Sequence, residues 1–120
     1  MHDRKLLYWE GSSKKDFKKF PLAVQKDMGV ALFIVQLGGM PNSAKPWKGL
    51  GSGVYELAED YEGNTFRAIY AVVLGNAVHV LHAFQKKSKA GIATPQPDVK
   101  LVKARLKAVR ARNMEAGNKL

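Results

Sequence analysis

The stretch Asn64 to Ser88, NTFRAIYAVVLGNAVHVLHAFQKKS, decides the fold of this chain. Two segments, residues 65–74 and 77–85, are dense in Val, Ile, Phe, Tyr and Leu, as β-strands are. They meet at Gly75-Asn76, which suits a tight two-residue turn because glycine adopts positive φ without strain. The stretch therefore predicts a central antiparallel hairpin.

Counting outward from a pair between Leu74 and Ala77 assigns the side chains of this hairpin to two faces. The pairs predicted on one face are Arg67 with Phe84, Ile69 with His82, and Ala71 with Val80. The other face, almost wholly apolar, is predicted to carry Phe66, Ala68, Tyr70, Val72, Leu74, Ala77, His79, Leu81 and Ala83. We expect helices on the apolar face only. The first face then stays open, with Arg67, His82 and Lys86 among few acidic neighbours.

The rest of the chain predicts short helices and strands around the hairpin. In chain order these are a strand at 4–10, helices at 14–20 and 22–37, a loop at 40–53, a strand at 54–60, a basic helix at 98–112 and a flexible tail at 113–120. This order predicts an α+β, two-layer fold. It has an antiparallel sheet, two N-terminal helices and a C-terminal helix.

Composition limits the class of protein and the kind of partner. A length of 120 residues predicts one domain, residues 1–120. The net charge of +10 calls for a polyanion, most commonly nucleic acid, although an anionic membrane or an acidic protein would also satisfy it. The absence of cysteine, of an export signal and of a membrane-length apolar stretch predicts a cytoplasmic protein without a membrane partner.

Most catalytic motifs are absent. The chain has no nucleotide-binding P-loop, no HExxH and no GxSxG motif. His79 and His82, three apart in a strand, are predicted to point to opposite faces and so not to share a metal. After these exclusions, the remaining candidates for catalytic residues are Arg67, His82 and Lys86. Together such residues can supply the base, the acid and the cations that metal-independent RNA cleavage needs. A plain basic surface would show the same residues.

The loop at 40–53 carries a second candidate for RNA binding. Lys45 and Lys48 flank Trp47, a pattern that can pair phosphate contacts with base stacking. An indole that anchors the loop to the core would fit the same sequence. Both readings stay open at this point.

Three blocks of sequence are similar to the phage-derived, HigB-like branch of the RelE/ParE toxin superfamily. The blocks are GVYEL at 53–57, GNTFRAIYAV at 63–72 and VHVLHAFQKKSKAGIATPQPDV at 78–99. The resemblance implies a RelE-like fold and the toxin of a toxin–antitoxin pair. Such toxins cleave mRNA on the ribosome without a metal or cofactor, and a helix-turn-helix antitoxin of the HigA kind neutralises them.

The resemblance also implies roles for single residues. Arg67 would stabilise the phosphate charge, His82 and Lys86 would serve acid–base or phosphate chemistry, and Lys87 and Lys89 would hold the RNA backbone. Tyr70 matches a family position too, but the counting places it in the core. Many relatives carry arginine where this chain has Ala58, so one expected cation is missing. A ParE-like inhibitor of a protein such as DNA gyrase and a non-catalytic nucleic-acid-binding module are the alternatives.

Overall fold

A five-stranded β-sheet with helices on both faces forms the protein, as seen in a computed structural model. The structure describes residues 4–73, 77–86 and 94–118, with side chains described up to Asn113. In chain order the elements are β1 (Leu6–Trp9), α1 (Ser13–Phe17), α2 (Leu22–Gln36), β2 (Ala44–Pro46), β3 (Val54–Tyr61), β4 (Asn64–Val73), β5 (Ala77–Lys86) and α3 (Gln96–Asn118). The strand order is β1-β5-β4-β3-β2, with β1 parallel to β5 and the other neighbours antiparallel.

The predicted α+β class, with two N-terminal helices and a C-terminal helix, is confirmed. The sheet was predicted to be antiparallel throughout, and this was wrong for β1, which is parallel to β5. Two segments differ from the prediction. The loop at 40–53 contains the short edge strand β2, whose Pro46 is tolerated because an edge strand has one unpaired side. Helix α3 continues to Asn118, so residues 113–118 are helical where a tail was expected. Among the described helices, none is long and apolar enough to cross a membrane.

The register of the β4–β5 hairpin agrees with the prediction at the end far from the turn. The confirmed pairs are Arg67 with Phe84 and Ile69 with His82. Nearer the turn, Ala71 faces His79, where Val80 was predicted. The predicted turn residues Gly75 and Asn76 lie outside the described residues.

A β-bulge in β5 causes this difference. Leu81 is the extra residue, because the paired positions of β5 pass from His82 directly to Val80. An extra residue reverses the alternation of side chains, so His79 lies on the same face as His82. The prediction of opposite faces for these two histidines was therefore wrong. Arg105 of α3 donates a hydrogen bond of 2.8 Å to the Leu81 carbonyl oxygen at the bulge.

The two faces of the sheet are covered by different helices. The core under α1 and α2 contains Phe17, Val24, Met28, Leu32, Phe66, Ala68 and Tyr70. The core under α3 contains Ile69, Ala71, Leu81, Val102, Leu106 and Val109. The expectation that every helix lies on one face and leaves the other open was therefore wrong.

The apolar stripe of α3 explains its position on the second face. Val102, Leu106 and Val109 recur at helical spacing and are buried. On the sheet, these side chains pack in one cluster with Ile69 and Leu81, which are also buried. Covering one apolar surface with the other removes both from water, which is the main driving force for packing.

Candidate active site

Arg67 lies on β4, opposite Ala58 of β3 and on the sheet face that α3 covers. Its guanidinium forms a salt bridge with the carboxylate of Glu56, which lies further along β3. The exposed fractions of the two side chains are only 19% and 15%. The Arg67 Nε is buried and has no hydrogen-bond partner among the described residues. Arg67 is thus held by one carboxylate, and its Nε is enclosed by the protein.

His82 is covered by the first turn of α3. Its Nε2 lies 2.7 Å from Oδ1 of Asp98, and its ring stacks on Phe84 with centroids 4.8 Å apart. The side chain is only 7% exposed. Because an ionised carboxylate can only accept, Nε2 is the donor, and in the neutral ring Nδ1 is then the acceptor. That Nδ1 is buried and, within the described parts of the chain, has no partner.

Lys86 ends β5 on the same face, opposite Thr65. Its position continues the alternation through Phe84, the partner of Arg67. The side chain is half-buried. Lys87 and Lys89, the other two lysines predicted to bind RNA here, lie outside the described residues.

The three predicted catalytic residues therefore share one sheet face, but their surroundings differ from the prediction. Arg67 is paired with Glu56 and His82 with Asp98, so the expectation of few acidic neighbours was wrong. Asp98 reaches His82 only because α3 begins over this face. The path of that helix could not be deduced from the spacing of residues along the hairpin.

A cavity of about 360 Å³ lies beside His82. Its lining comprises Asp16, Lys19, Phe20, Phe66, His82, Ala83, Phe84 and Gln85. Phe20 and Phe66 are buried in the core under α1 and α2, so the lining groups that a nucleotide can contact are the half-buried ring of Phe84 and the exposed Lys19. Sequence reasoning missed Lys19 and Phe20, because they come from the segment after α1, far from the hairpin in the chain.

Comparison with known proteins identifies the family. The family model described as "Phage derived protein Gp49-like" matches residues 15–107, which include the whole hairpin and about half of α3. The chain belongs to this phage-derived Gp49-like family. Among curated protein sequences, none matches it significantly.

Solved structures confirm the fold of this Gp49-like protein. A mutant of the Escherichia coli toxin RelE in the free state matches with a TM-score of 0.58 and 16% identity, over 88% of this chain and 98% of that chain. The toxin–antitoxin complex RelBE2 from Mycobacterium tuberculosis matches with a TM-score of 0.51 and 13% identity, over 69% of this chain and 99% of that chain. The family model therefore confirms the predicted phage-derived family, and the two structures confirm the predicted RelE-like fold.

The basic loop of this Gp49-like protein lies at the side of the α3-covered face. Trp47 packs against the core under α3 and is half-buried, which is the anchoring arrangement. Its backbone N–H donates to the Val54 carbonyl at 2.8 Å. Lys45 and Lys48 are exposed and can reach a polyanion. Because the indole of Trp47 is half-buried, less of its surface is available for base stacking than the sequence alone implied.

A second charged cluster, absent from the sequence analysis, joins β1, β5 and α3. Nδ1 of His79 lies 2.9 Å from one oxygen of Glu10, and Arg112 donates to the other at 2.6 Å. Burial alone would raise the pKa of the Glu10 carboxyl, but hydrogen bonds and charge from His79 and Arg112 outweigh it and lower the pKa. The His79 ring also stacks on Tyr8, with centroids 5.2 Å apart. Every member has a partner within the cluster, so its role is to hold the three elements together.

Tyr70 lies in the core under α1 and α2, as predicted. Burial, with a smaller contribution from Tyr55, raises the pKa of Tyr70 to about 12. Its side chain is on the opposite sheet face from Arg67, since neighbouring positions in the register alternate. Tyr70 is therefore a core residue and not part of the candidate active site. Across the described residues, no three His, Asp or Glu side chains are placed to hold a metal ion.

Proposed function

We propose that this protein is the toxin of a type II toxin–antitoxin pair and that it cleaves mRNA on the ribosome without a metal ion. One observation carries the proposal: Arg67, His82 and Lys86 share a face of β4–β5 in a fold of the RelE type. Both similar structures contain toxins, and one is a toxin–antitoxin complex. The site of action is the cytoplasm, where translating ribosomes are.

The proposed reaction is an internal transesterification. The 2′-oxygen of a ribose attacks the adjacent phosphorus, the bond to the 5′-oxygen breaks, and the products are a 2′,3′-cyclic phosphate and a 5′-hydroxyl. His82 takes the 2′-hydroxyl proton, Lys86 gives a proton to the leaving oxygen, and Arg67 stabilises the charged phosphorane. Lys45, Lys48, Lys87 and Lys89 hold the RNA backbone, and Trp47 supports that loop.

Asp98 supports the assignment of His82 as the base. A carboxylate at Nε2 fixes the tautomer in which Nδ1 is free to accept a proton, an arrangement that recurs in histidine-based active sites. Within the described residues Nδ1 has no competing partner. His82 is one of the residues that line the cavity of about 360 Å³, and we place the nucleotide there.

The experiment is induced expression in a bacterial host without the antitoxin, followed by primer-extension mapping of mRNA 5′ ends. The wild type should stop growth and create new ends within translated regions. Arg67→Ala and His82→Ala should each relieve the arrest and reduce the new ends at least about 100-fold. Lys103→Ala, which removes an exposed charge from α3, is the matched control and should remain toxic. Two folded site variants as toxic as the wild type would reject the assignment.

A second candidate function is inhibition of a protein target such as DNA gyrase. The observation that favours it is the pairing of Arg67 with Glu56 and of His82 with Asp98, which gives both side chains a carboxylate partner within the chain. In that case induction would raise markers of DNA damage while the mRNA ends stayed unchanged. The same induced cultures therefore separate the two candidates.

The proposed partner is a small helix-turn-helix antitoxin of the HigA kind. The net charge of +10 favours an acidic partner as well as RNA. The description of RelBE2 as a toxin–antitoxin complex supports a partner of this class.

A further inference from the structure

The charged cluster around Glu10 also lines a cavity. This cavity has a volume of about 460 Å³ and lies where the edge strand β1 meets β5 and the C-terminal half of α3. Tyr8, Glu10, His79 and Arg112 are among its lining residues. It shares no lining residue with the cavity beside His82. The proposed reaction therefore gives this second cavity no role.

Tyr8 presents an aromatic surface at the cavity. Its ring stacks on His79 with an angle of 20° between the ring planes, and the residue is still 45% exposed. Glu10 holds the His79 ring through Nδ1, so the position of the stack is defined. A fixed and accessible aromatic ring is a surface on which a nucleobase can stack.

Arg112 brings a positive charge to the same cavity. Its Nη2 donates to Glu10, but the side chain is 57% exposed. The other N–H groups of this guanidinium have no acceptor among the described residues, so they are available to an anion. Arginine suits phosphate in particular, because its planar fork can bind two oxygens at once.

Glu10 does not oppose an anion here, although it is the one carboxylate among the described lining residues. One of its oxygens faces His79 at 2.9 Å, and the other accepts from Arg112 at 2.6 Å. The side chain is only 12% exposed. Its charge is therefore compensated within the chain, and the net charge of +10 favours an anion at this surface.

An exposed ring and an exposed guanidinium in one cavity match a nucleotide, whose base is flat and whose phosphate is anionic. The volume lies within the range of about 300–1,000 Å³ that is usual for small-molecule sites. An acidic peptide would use Arg112 but would leave the Tyr8 ring without a planar partner. We propose that this cavity binds one unpaired nucleotide, with its base on Tyr8 and its phosphate on Arg112. The source is a free mononucleotide or a single-stranded RNA, and the experiment distinguishes them.

The experiment is a titration of the full-length protein, followed by heteronuclear NMR. The chain has two tryptophans, of which Trp9 lines this cavity and Trp47 packs in the core under α3. Adenosine 5′-monophosphate should shift the indole N–H signal of Trp9 saturably and leave that of Trp47 in place. Adenosine, which lacks the phosphate, and ribose 5-phosphate, which lacks the base, should each bind at least about tenfold more weakly.

Variants of Tyr8 and Arg112 test the two contacts separately. Tyr8→Leu should weaken binding at least about tenfold because it removes the stacking surface, whereas Tyr8→Phe keeps the ring and should bind within about twofold of the wild type. Phe33→Leu, which removes an exposed ring from α2, is the matched control and should bind like the wild type. Arg112→Gln should weaken binding several-fold. Arg110→Gln, which removes the same charge from a side chain that contacts the Leu50 carbonyl, should not.

A short single-stranded adenylate RNA separates the two sources of the nucleotide. If it binds at least about tenfold more tightly than the mononucleotide, with the same dependence on Tyr8, the nucleotide belongs to an RNA strand. Equal or weaker binding assigns a free mononucleotide.

Three outcomes would overturn the inference. The first is that neither the mononucleotide nor the RNA shifts the Trp9 signal. The second is that Tyr8→Leu binds as tightly as Phe33→Leu while both keep the thermal melt of the wild type. The third is that ribose 5-phosphate or a short peptide of glutamates binds as tightly as the mononucleotide, which would assign the cavity to anions or acidic peptides without a base.

The titration is independent of the proposed reaction, because it needs neither a ribosome nor cleavage. A wild type that binds the nucleotide but leaves mRNA intact would reject the proposed reaction and keep this site. A wild type that cleaves mRNA without any shift at Trp9 would reject this site alone.

Discussion

At the residue scale, Glu10 shows how a single carboxylate ties separate elements together. It accepts hydrogen bonds from His79 of β5 and Arg112 of α3, while its own backbone N–H donates to Val80 at 2.9 Å. Through its salt bridge with Arg112, the Glu10 carboxylate ties the end of α3 to the start of the chain. Through His79, it also ties both to β5. Removing its charge should loosen that link.

Glu10→Gln should therefore destabilise the protein at neutral pH. The pKa of Glu10 is lowered in the folded state, so its ionised form stabilises the fold above the unfolded pKa of about 4.3, and this stability is lost as the pH falls through the folded pKa. We expect a loss of about 1–3 kcal/mol in the free energy of unfolding at pH 7 and a smaller loss below pH 4. Urea unfolding at both pH values measures it.

The control for this prediction is Glu62→Gln, the same change at an exposed turn residue. It should alter the free energy of unfolding little at either pH. A Glu10→Gln protein as stable as the wild type at pH 7, or equally weakened at both pH values, would contradict the stabilising role of the charge.

The candidate active site was partly predictable at this scale. Arg67, His82 and Lys86 follow from residue type and from strand alternation, which bring them to one face. Their acidic partners do not follow, because Glu56 lies on another strand and Asp98 on α3. Which carboxylates meet which cations depends on strand order and helix path, and neither is visible in local spacing.

At the element scale, α3 decides the character of the second sheet face. It buries Leu106 there and delivers Asp98 to His82. Leu106→Ala should therefore lower the free energy of unfolding by about 2–5 kcal/mol, the cost of deleting a buried leucine side chain. Urea unfolding measures the loss.

Leu101→Ala on the same helix is the control, because Leu101 is only half-buried. It makes the same chemical change and should cost clearly less. Equal losses for the two variants, or no loss for Leu106→Ala, would mean that the helix does not pack on the sheet as described.

Most elements were predictable because their patterns are strong. The hairpin segments are β-rich, and α2 and α3 have helical spacing. Strand β2 was missed because three residues in a segment rich in Pro, Gly and Ser carry little pattern. The bulge at Leu81 was missed because it adds no distinctive residue type, and it moved His79 to the face of His82.

At the scale of the whole molecule, the residues proposed for catalysis lie on the sheet face under α3, opposite the face that α1 and α2 cover. The net charge of +10 favours both RNA and an acidic protein as partners. Charge and composition alone predict that attraction, but they do not place the surface that binds either partner.

The most direct test of the central claim is cleavage of a defined mRNA bound to purified ribosomes. The wild type should cleave it and leave a 2′,3′-cyclic phosphate and a 5′-hydroxyl, and Arg67→Ala should cut at least about 100-fold more slowly. Products with a 3′-hydroxyl and a 5′-phosphate, or an Arg67→Ala protein that cuts at the wild-type rate, would contradict the account.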